Sequence, residues 1–398
     1  MSPLDDLFGL PTAEPEAVGL SRPALKRLSA AMAREVAEGR TAGLSTLVAR
    51  HGRIAYAERF GALRPGGPAM SADAIFRIYS MTKPIVSVAA MTLVEDGRLL
   101  LTDPLDKYLP AFAAMKVGVE RDGALELVPA KRPIAIHDLM RHTSGLTYGF
   151  AGGSAVHRLV AEADIVNVAK PIAAQIDRLA ALPLVRHPGE AWEYGLSTDV
   201  LGRVLEVVSG MQLSEFLAER VLAPLGMKDT AFFTPPEKRD RLAAPLSYDA
   251  HVAAGVDLVD CDGPPPFEMG GSGLVSTIGD YARFLAMIAA GGTLDGARIL
   301  GPRTLAYMAS DHLGPDVDRR NPYLVPGHGY GLGFAVRNET GVAPTIGSVG
   351  EIAWGGVSGV AFWVSPRDAL FAIVMTHAPD HYLRFRQLFR NMVNAAIL

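Results

Sequence analysis

A single cysteine, Cys261, stands among 398 residues, so no intramolecular disulfide can form, and no Cys/His set at zinc spacing accompanies it. The fold must therefore rest on its core, and neither a metal nor a cofactor is implied. Long apolar runs are missing too. A membrane helix needs roughly 18–20 consecutive apolar residues, whereas VVSGMQLSEFL and FWVSPRDALFAIVM are both broken by polar residues, so no membrane span is expected. The opening stretch MSPLDDLFGLPTAEPEAVGL has an acidic pair where a signal peptide needs positive charge, and no uninterrupted apolar region follows, which predicts a cytoplasmic protein. A basic surplus is also lacking: 38 Lys and Arg against 42 Asp and Glu give a net charge of -4, with no Lys/Arg cluster interleaved with aromatics. Nucleic acid and membrane are thus poor partners, and a small molecule is the better expectation. Internal repeats and low-complexity segments are absent as well.

What is present has the balance of a globular protein, 49% hydrophobic and 20% charged, in a chain long enough for two domains or one with a sizeable insertion. Within residues 22–38, Leu25, Leu28, Met32 and Val36 recur at helical spacing, with Ser21 as N-cap and Gly39 as stop. GLSTLVAR and IAYAERFG follow as strand-like runs joined by His51-Gly52, which suits a tight hairpin turn. The C-terminal end supplies VGEIAWGG, GVAFWVSP and DALFAIVMTH, then an amphipathic LRFRQLFRNMVNAAI. Strands from both ends are expected to share one antiparallel sheet flanked by helices, an α+β arrangement. The chain then divides into a discontinuous sheet domain, residues 1–101 and 271–398, and a mainly helical insert, residues 102–270, with the active site at their interface. In the insert, IHDLMRH, AAQIDRLAAL, DVLGRVLEVVSG and LSEFLAERVLAPLG alternate with Pro/Gly-rich connectors. The connector CDGPPPFEMGGSG, residues 261–273, marks re-entry to the sheet domain, and a helix in DYARFLAMIAAGG stops at Gly291.

The stretch IYSMTK sets Ser80 and Lys83 three residues apart where an apolar helical pattern begins. Nineteen serines and eight lysines would produce roughly 0.4 Ser-x-x-Lys pairs by chance in this length, so the spacing alone decides nothing. In a first helical turn, free N–H groups and the helix dipole favour developing negative charge, and a residue three further on shares the face. A serine nucleophile needs a base within hydrogen-bond reach, and a lysine serves when desolvation keeps it neutral. The alternative is a plain helix start, with Ser80 as N-cap, Pro84 in the tolerant first turn and Lys83 solvated. No other serine has Lys at +3, and no G-x-S-x-G elbow occurs, which disfavours an α/β-hydrolase.

Five ordered motifs carry a resemblance: FRIYSMTKPIVSVAAMTLVEDGRLLLTDPLDKYLPAF, IHDLMRHTSGL, PGEAWEYGLSTDVLG, LAPLGMKDT and WGGVSGVAFWVSP. Together they resemble the serine hydrolases of the β-lactamase/penicillin-binding-protein fold, and most of all their class C-like branch of family VIII carboxylesterases. The resemblance runs from about Leu25 to about Leu388. It implies a β-lactamase/transpeptidase-like fold, Ser80 as acylated nucleophile, Lys83 as its partner and Tyr194 as catalytic tyrosine. It further implies an oxyanion hole from the N–H groups of Ser80 and Val357, with Trp354, Gly355 and Gly356 beside the substrate. On the residues alone, Tyr194 reads first as an aromatic packed beside Trp192 at a helix start, a preference that the resemblance reverses, and W-G-G reads as a bulged edge strand, which is compatible with the oxyanion role. A neutral phenol next to Lys83 could relay a proton to a leaving alcohol.

Two positions depart from the β-lactamase pattern. Leu196 replaces the Asn of Tyr-x-Asn, and Trp354-Gly355-Gly356 replaces Lys-Thr-Gly. No lysine follows Lys238, so the cation that would attract a substrate carboxylate is lost. Arg337 and Arg367 are possible substitutes with nothing in their context to favour either. An uncharged ester is thus the expected substrate, with Lys83 as base for acylation. The expected function is a metal-free serine carboxylesterase acting on short- to medium-chain acyl esters. Alternatives on the same fold are a β-lactamase, D-alanyl peptidase, amidase or acyltransferase, and outside catalysis a binding protein; monomer and homodimer both stay open.

Four lesser candidates have bland readings. His137 and His142 lack the Glu of a zinc protease and read as structural. G-H-G-Y-G-L-G, residues 327–333, reads as strand-bend glycines rather than a nucleotide loop. His377 ends the last strand and could reach the site, and Ser144, without a nearby base, reads as a turn residue.

Overall fold

Seven strands drawn from both ends of the chain form one antiparallel sheet in the computed structural model, which describes residues 8–167, 169–247 and 263–398. Cys261 and Asp262, the first two residues of the 261–273 connector, lie outside the described residues. The strands are β1 (Gly43–Arg50), β2 (Arg53–Gly61), β3 (His328–Tyr330), β4 (Ala335–Arg337), β5 (Ile352–Gly355), β6 (Ala361–Ser365) and β7 (Leu370–Thr376), in the spatial order β2-β1-β7-β6-β5-β4-β3. His51 and Gly52 both take positive φ, 52° and 73°, as a two-residue hairpin turn that matches the strand twist requires. Register then pairs Leu44 with Thr376 and Arg50 with Leu370, joining the first strand to the last.

Burial on both faces explains why β7 is apolar from Leu370 to Met375, and β1 beside it is buried from Gly43 to Ala49, with Ser45 and Thr46 enclosed among its apolar residues. Leu370, Ala372 and Val374 face a cluster with Leu25, Leu28, Phe385 and Phe389, from helices α1 (Arg22–Ala37) and α5 (Tyr382–Asn394). Phe371, Ile373 and Met375 face the opposite cluster, with Ile85 and Phe284 from α2 (Thr82–Glu95) and α4 (Ile278–Ala289). Both faces of β7 are covered, so an alternating polar pattern has no place in it. Ser21 caps α1, its Oγ accepting from the Ala24 N–H at 3.3 Å. In α2 every residue from Thr82 to Leu93 is buried, the pattern of a helix enclosed on all sides.

Between residues 102 and 270 the described chain holds the helices Ile136–Met140, Ala155–Glu162, Ile172–Ala180, α3 (Ser197–Ser209) and Leu213–Leu217. It also holds an unexpected two-stranded ribbon, Lys116–Arg121 with Ala124–Pro129. Its signal was present: Asp122-Gly123, with φ of 49° and 80°, separates the alternating Val117/Val119 and Leu125/Leu127. A second short ribbon pairs Ile75–Arg77 with Val275–Thr277, tying the approach to Ser80 to the returning chain. Among the described residues no helix is long and apolar enough to cross a membrane.

Candidate active site

Ser80 sits in a single 3-10 turn, Tyr79–Met81, that leads into α2. The turn is strained: Tyr79 has φ of 44°, a region that bulky side chains enter only when their surroundings hold them there. Leu274 provides that hold from both sides, its carbonyl accepting from the Ile78 N–H at 3.0 Å and its N–H donating to Thr82 Oγ1 at 3.1 Å. Ser80 caps no N–H group at either helix start. Its Oγ instead lies 2.6 Å from the Tyr194 hydroxyl and 3.3 Å from Lys83 Nζ. Lys83 is fully buried rather than solvated, and also donates to the Tyr148 hydroxyl at 3.2 Å and the Gly271 carbonyl at 2.8 Å. Its Nζ lies 4.7 Å from the centroid of the Tyr194 ring.

Tyr194 precedes α3 in an extended segment fixed by the Trp192 N–H on the Asp318 carbonyl and the Glu193 N–H on the His142 carbonyl, both 2.8 Å. Its ring stacks on Trp192 with centroids 5.9 Å apart while its hydroxyl stays against Ser80 Oγ, so packing beside Trp192 does not take it away from the serine. A Cβ at Gly195 would meet the Leu146 carbonyl at 2.2 Å and Thr147 Cα at 2.4 Å. Glycine there lets the 146–148 loop pass underneath and bring Tyr148 to Lys83. Asp199, fully buried in the first turn of α3, accepts from the Gly271 N–H at 2.9 Å and so fixes the loop whose carbonyl faces Lys83. Burial raises the Asp199 pKa, with the Lys83 charge opposing it, and burial, then the Asp199 charge, raises that of Tyr148. Tyr148, Asp199 and Gly271 were not foreseen. Each lies inside or beside a quoted motif, but no spacing rule links them to Ser80.

The end of β5 closes the other wall. A Cβ at Gly356 would approach the Ile78 carbonyl at 2.6 Å and Tyr79 Cβ at 3.1 Å, so only glycine lets the strand run this close to the Ser80 turn. The Val357 N–H that follows makes no hydrogen bond among the described residues, and Val357 and Ser80 both line the same cavity. Trp354 sets its ring edge-on to Tyr194, centroids 5.6 Å apart. At Gly355 a Cβ would sit 2.7 Å from Cζ of Arg386, a residue of α5 that donates to the Gly356 carbonyl at 2.5 Å. Arg386 was missed in the sequence, whereas the two arginines considered there point elsewhere. Arg337 is buried against Thr345 and Glu351, and Arg367 is exposed in the β6–β7 turn.

These walls enclose a cavity of about 770 Å³, largely apolar, with Leu196, Val160, Ile165, Met269 and Tyr323 among its lining. His142 lies beneath Tyr194, ring centroids 5.1 Å apart, and burial together with the Lys83 charge holds its pKa well below the usual histidine range. His137 pairs instead with His312 at 2.9 Å. His377 is buried against Phe76, its Nε2 accepting from the Arg77 N–H at 3.4 Å, and Ser144 pairs with Ser197 at 2.8 Å in a turn. G-H-G-Y-G-L-G forms β3 and its bend into β4, where Gly333 has φ of 99°. Among the described residues, no group of three or more His, Cys, Asp or Glu could hold a metal ion.

Known proteins share this framework. Esterase EstB of Burkholderia gladioli is 32% identical over 386 residues, spanning 92% of this chain and 93% of its own. Protein Rv1367c of Mycobacterium tuberculosis is 34% identical over 328 residues, 79% and 80% of the two chains. The solved structure of EstCE1, described as a hydrolase with promiscuous acyltransferase activity, matches with a TM-score of 0.77 at 27% identity, over 93% of this chain and 98% of that one. A sequence model of the family described as Beta-lactamase matches residues 28–396, nearly the whole chain. The chain therefore belongs to the Beta-lactamase family, as a serine hydrolase with the β-lactamase/transpeptidase-like fold.

Proposed function

We propose that the protein is a serine carboxylesterase in which Ser80 carries the acyl group. The observation behind this reading is the sharing of Ser80 Oγ between Tyr194 and Lys83 on the wall of a mainly apolar cavity. In the first half of the cycle Ser80 Oγ attacks the ester carbonyl and gives its proton to the Lys83 amine. The Ser80 and Val357 N–H groups hold the oxyanion. Collapse breaks the C–O bond, and the departing alkoxide takes the proton of Tyr194. The acyl-enzyme is left with a Lys83 ammonium beside a Tyr194 phenolate. Water then attacks as Tyr194 removes its proton, and collapse returns the acid while Ser80 Oγ recovers a proton from Lys83, restoring every group. An alcohol in place of water would turn the same cycle into acyl transfer.

The cavity volume exceeds the needs of acetyl groups and suits medium-chain or bulky apolar acyl esters. We also propose that it lies between a sheet domain, 1–101 and 271–398, and the insert 102–270, since Ser80 and Lys83 come from the first and Tyr148 and Tyr194 from the second. The test is one panel: nitrophenyl acetate to decanoate, a chromogenic cephalosporin and a D-alanyl dipeptide, with Ser80→Ala alongside. Ester turnover is expected to exceed the other two and to vanish in Ser80→Ala. Wild-type ester turnover by Ser80→Ala removes the nucleophile assignment, and a preference for the cephalosporin removes the esterase reading.

A further inference from the structure

Helix α5 carries three arginines within seven residues of one another, and the fold treats them differently. Arg384 pairs with the Glu35 carboxylate at 2.7 Å, and Arg390 pairs with Glu351. Arg386, between them, forms an ion pair with no carboxylate among the described residues. Its Nη2 donates to the Gly356 carbonyl at 2.5 Å, its Cζ lies 4.8 Å from the Tyr382 ring centroid, and its Nε is buried without an acceptor. A guanidinium has five N–H donors in a planar fork, and here the fold engages only a fraction of them. Burial lowers the Arg386 pKa to about 10, which leaves it cationic at neutral pH.

Its placement is specific. Arg386 lines the same cavity as Ser80, and the bare Cα of Gly355 leaves the space in which its guanidinium lies. The one other arginine lining that cavity among the described residues is Arg390, already neutralised by Glu351. A lone cation with unused, coplanar donors suits a monoanion that a fork can grip at two points; a phosphate dianion would call for a second free cation.

Resting on the esterase reading above, we propose that Arg386 is a substrate-binding residue for a carboxylate, and that the preferred esters carry a free carboxylate on the acyl or the alcohol side. This revises the uncharged ester expected from the missing strand lysine: the charge is supplied from a helix 30 residues further on rather than from the strand.

The experiment compares three substrates in wild type, Arg386→Met and Arg386→Lys: nitrophenyl butyrate, the nitrophenyl hemiester of glutarate, and the butyrate ester of 3-hydroxybenzoate. For one of the two carboxylated esters, Arg386→Met is expected to lower kcat/KM about 10- to 100-fold more than for the neutral ester, with partial recovery in Arg386→Lys. Equal losses on all three substrates would assign Arg386 a purely structural role and overturn the proposal. Should Arg386→Met fail to fold, wild type alone still decides: glutarate is expected to inhibit butyrate hydrolysis competitively and its neutral diamide is not, and equal effects of the two overturn the carboxylate site. Neutral-ester turnover in wild type and its loss in Ser80→Ala test the esterase reading separately, so the two failures are distinguishable.

Discussion

Two basic side chains of the site, Lys83 and Arg386, are treated in opposite ways. On one side Lys83 is fully buried, and its amine meets a hydrogen-bond partner in each of three directions: Ser80 Oγ, the Tyr148 hydroxyl and the Gly271 carbonyl. On the other side Arg386 has a single carbonyl, Gly356, and a buried Nε with no acceptor. An unsatisfied buried donor costs about 1–3 kcal/mol, a penalty the fold avoids at Lys83 and accepts at Arg386. A basic group whose polar contacts are all answered within the protein belongs to the machinery that recurs in every turnover. One left partly unanswered marks where a ligand completes the site.

Removing the answered side is expected to have the largest effect. Lys83→Met takes away the proton acceptor of Ser80, and acylation should slow by about 10²- to 10⁴-fold. Burst kinetics with nitrophenyl butyrate measure that step directly, and a burst rate within tenfold of wild type would reject Lys83 as the base. A smaller effect is expected on the unanswered side from Gly355→Ala. Its new Cβ would sit 2.7 Å from Arg386 Cζ, so the guanidinium must move. The ratio of kcat/KM for carboxylated over neutral esters should fall by about tenfold, a difference of roughly 1.4 kcal/mol. A ratio unchanged from wild type would show that guanidinium position does not control selectivity.

The smallest effect concerns the paired neighbour on the same helix. Glu35 is held at a pKa of about 2, below the ordinary 4.5, first by its hydrogen bonds to Arg384 and then by those to Arg40. A lowered carboxylate pKa stabilises the fold in full above about 4.5, and that contribution fades as pH falls towards about 2. Thermal melts across that interval should therefore show a flatter loss of Tm in Glu35→Gln than in wild type. Parallel curves would mean the Glu35–Arg384 pair contributes nothing that protonation can remove.

How much of this was readable in the sequence depended on whether the signal was local. The shared sheet followed from alternation at both chain ends, and the hairpin from His51-Gly52. Ser80, Lys83, Tyr194 and the W-G-G stretch were located by resemblance, and the structure sets Ser80, Tyr194, Trp354 and Gly355 around one cavity with Lys83 hydrogen-bonded to Ser80. Arg386 carried no such signal. In LRFRQLFR the three arginines look alike, and what separates them is whether Glu35 or Glu351, distant along the chain, comes to meet them. Tyr148 and Asp199 were hidden for the same reason, since their roles depend on Gly195 and Gly271, which bring separate loops together. The ribbon 116–129 differs from these: its Asp-Gly turn was local and was overlooked.

The bare Cα of Gly355 also sets a rule of exclusion. In the Lys-Thr-Gly arrangement a threonine occupies this position, and the first atom of any such side chain would fall inside the guanidinium of Arg386. Strand lysine with its threonine, and helix arginine with its glycine, are therefore rival solutions for one volume of space. Grafting Lys-Thr-Gly onto residues 354–356 would not add a second anion site to this enzyme; it would trade one recognition system for the other.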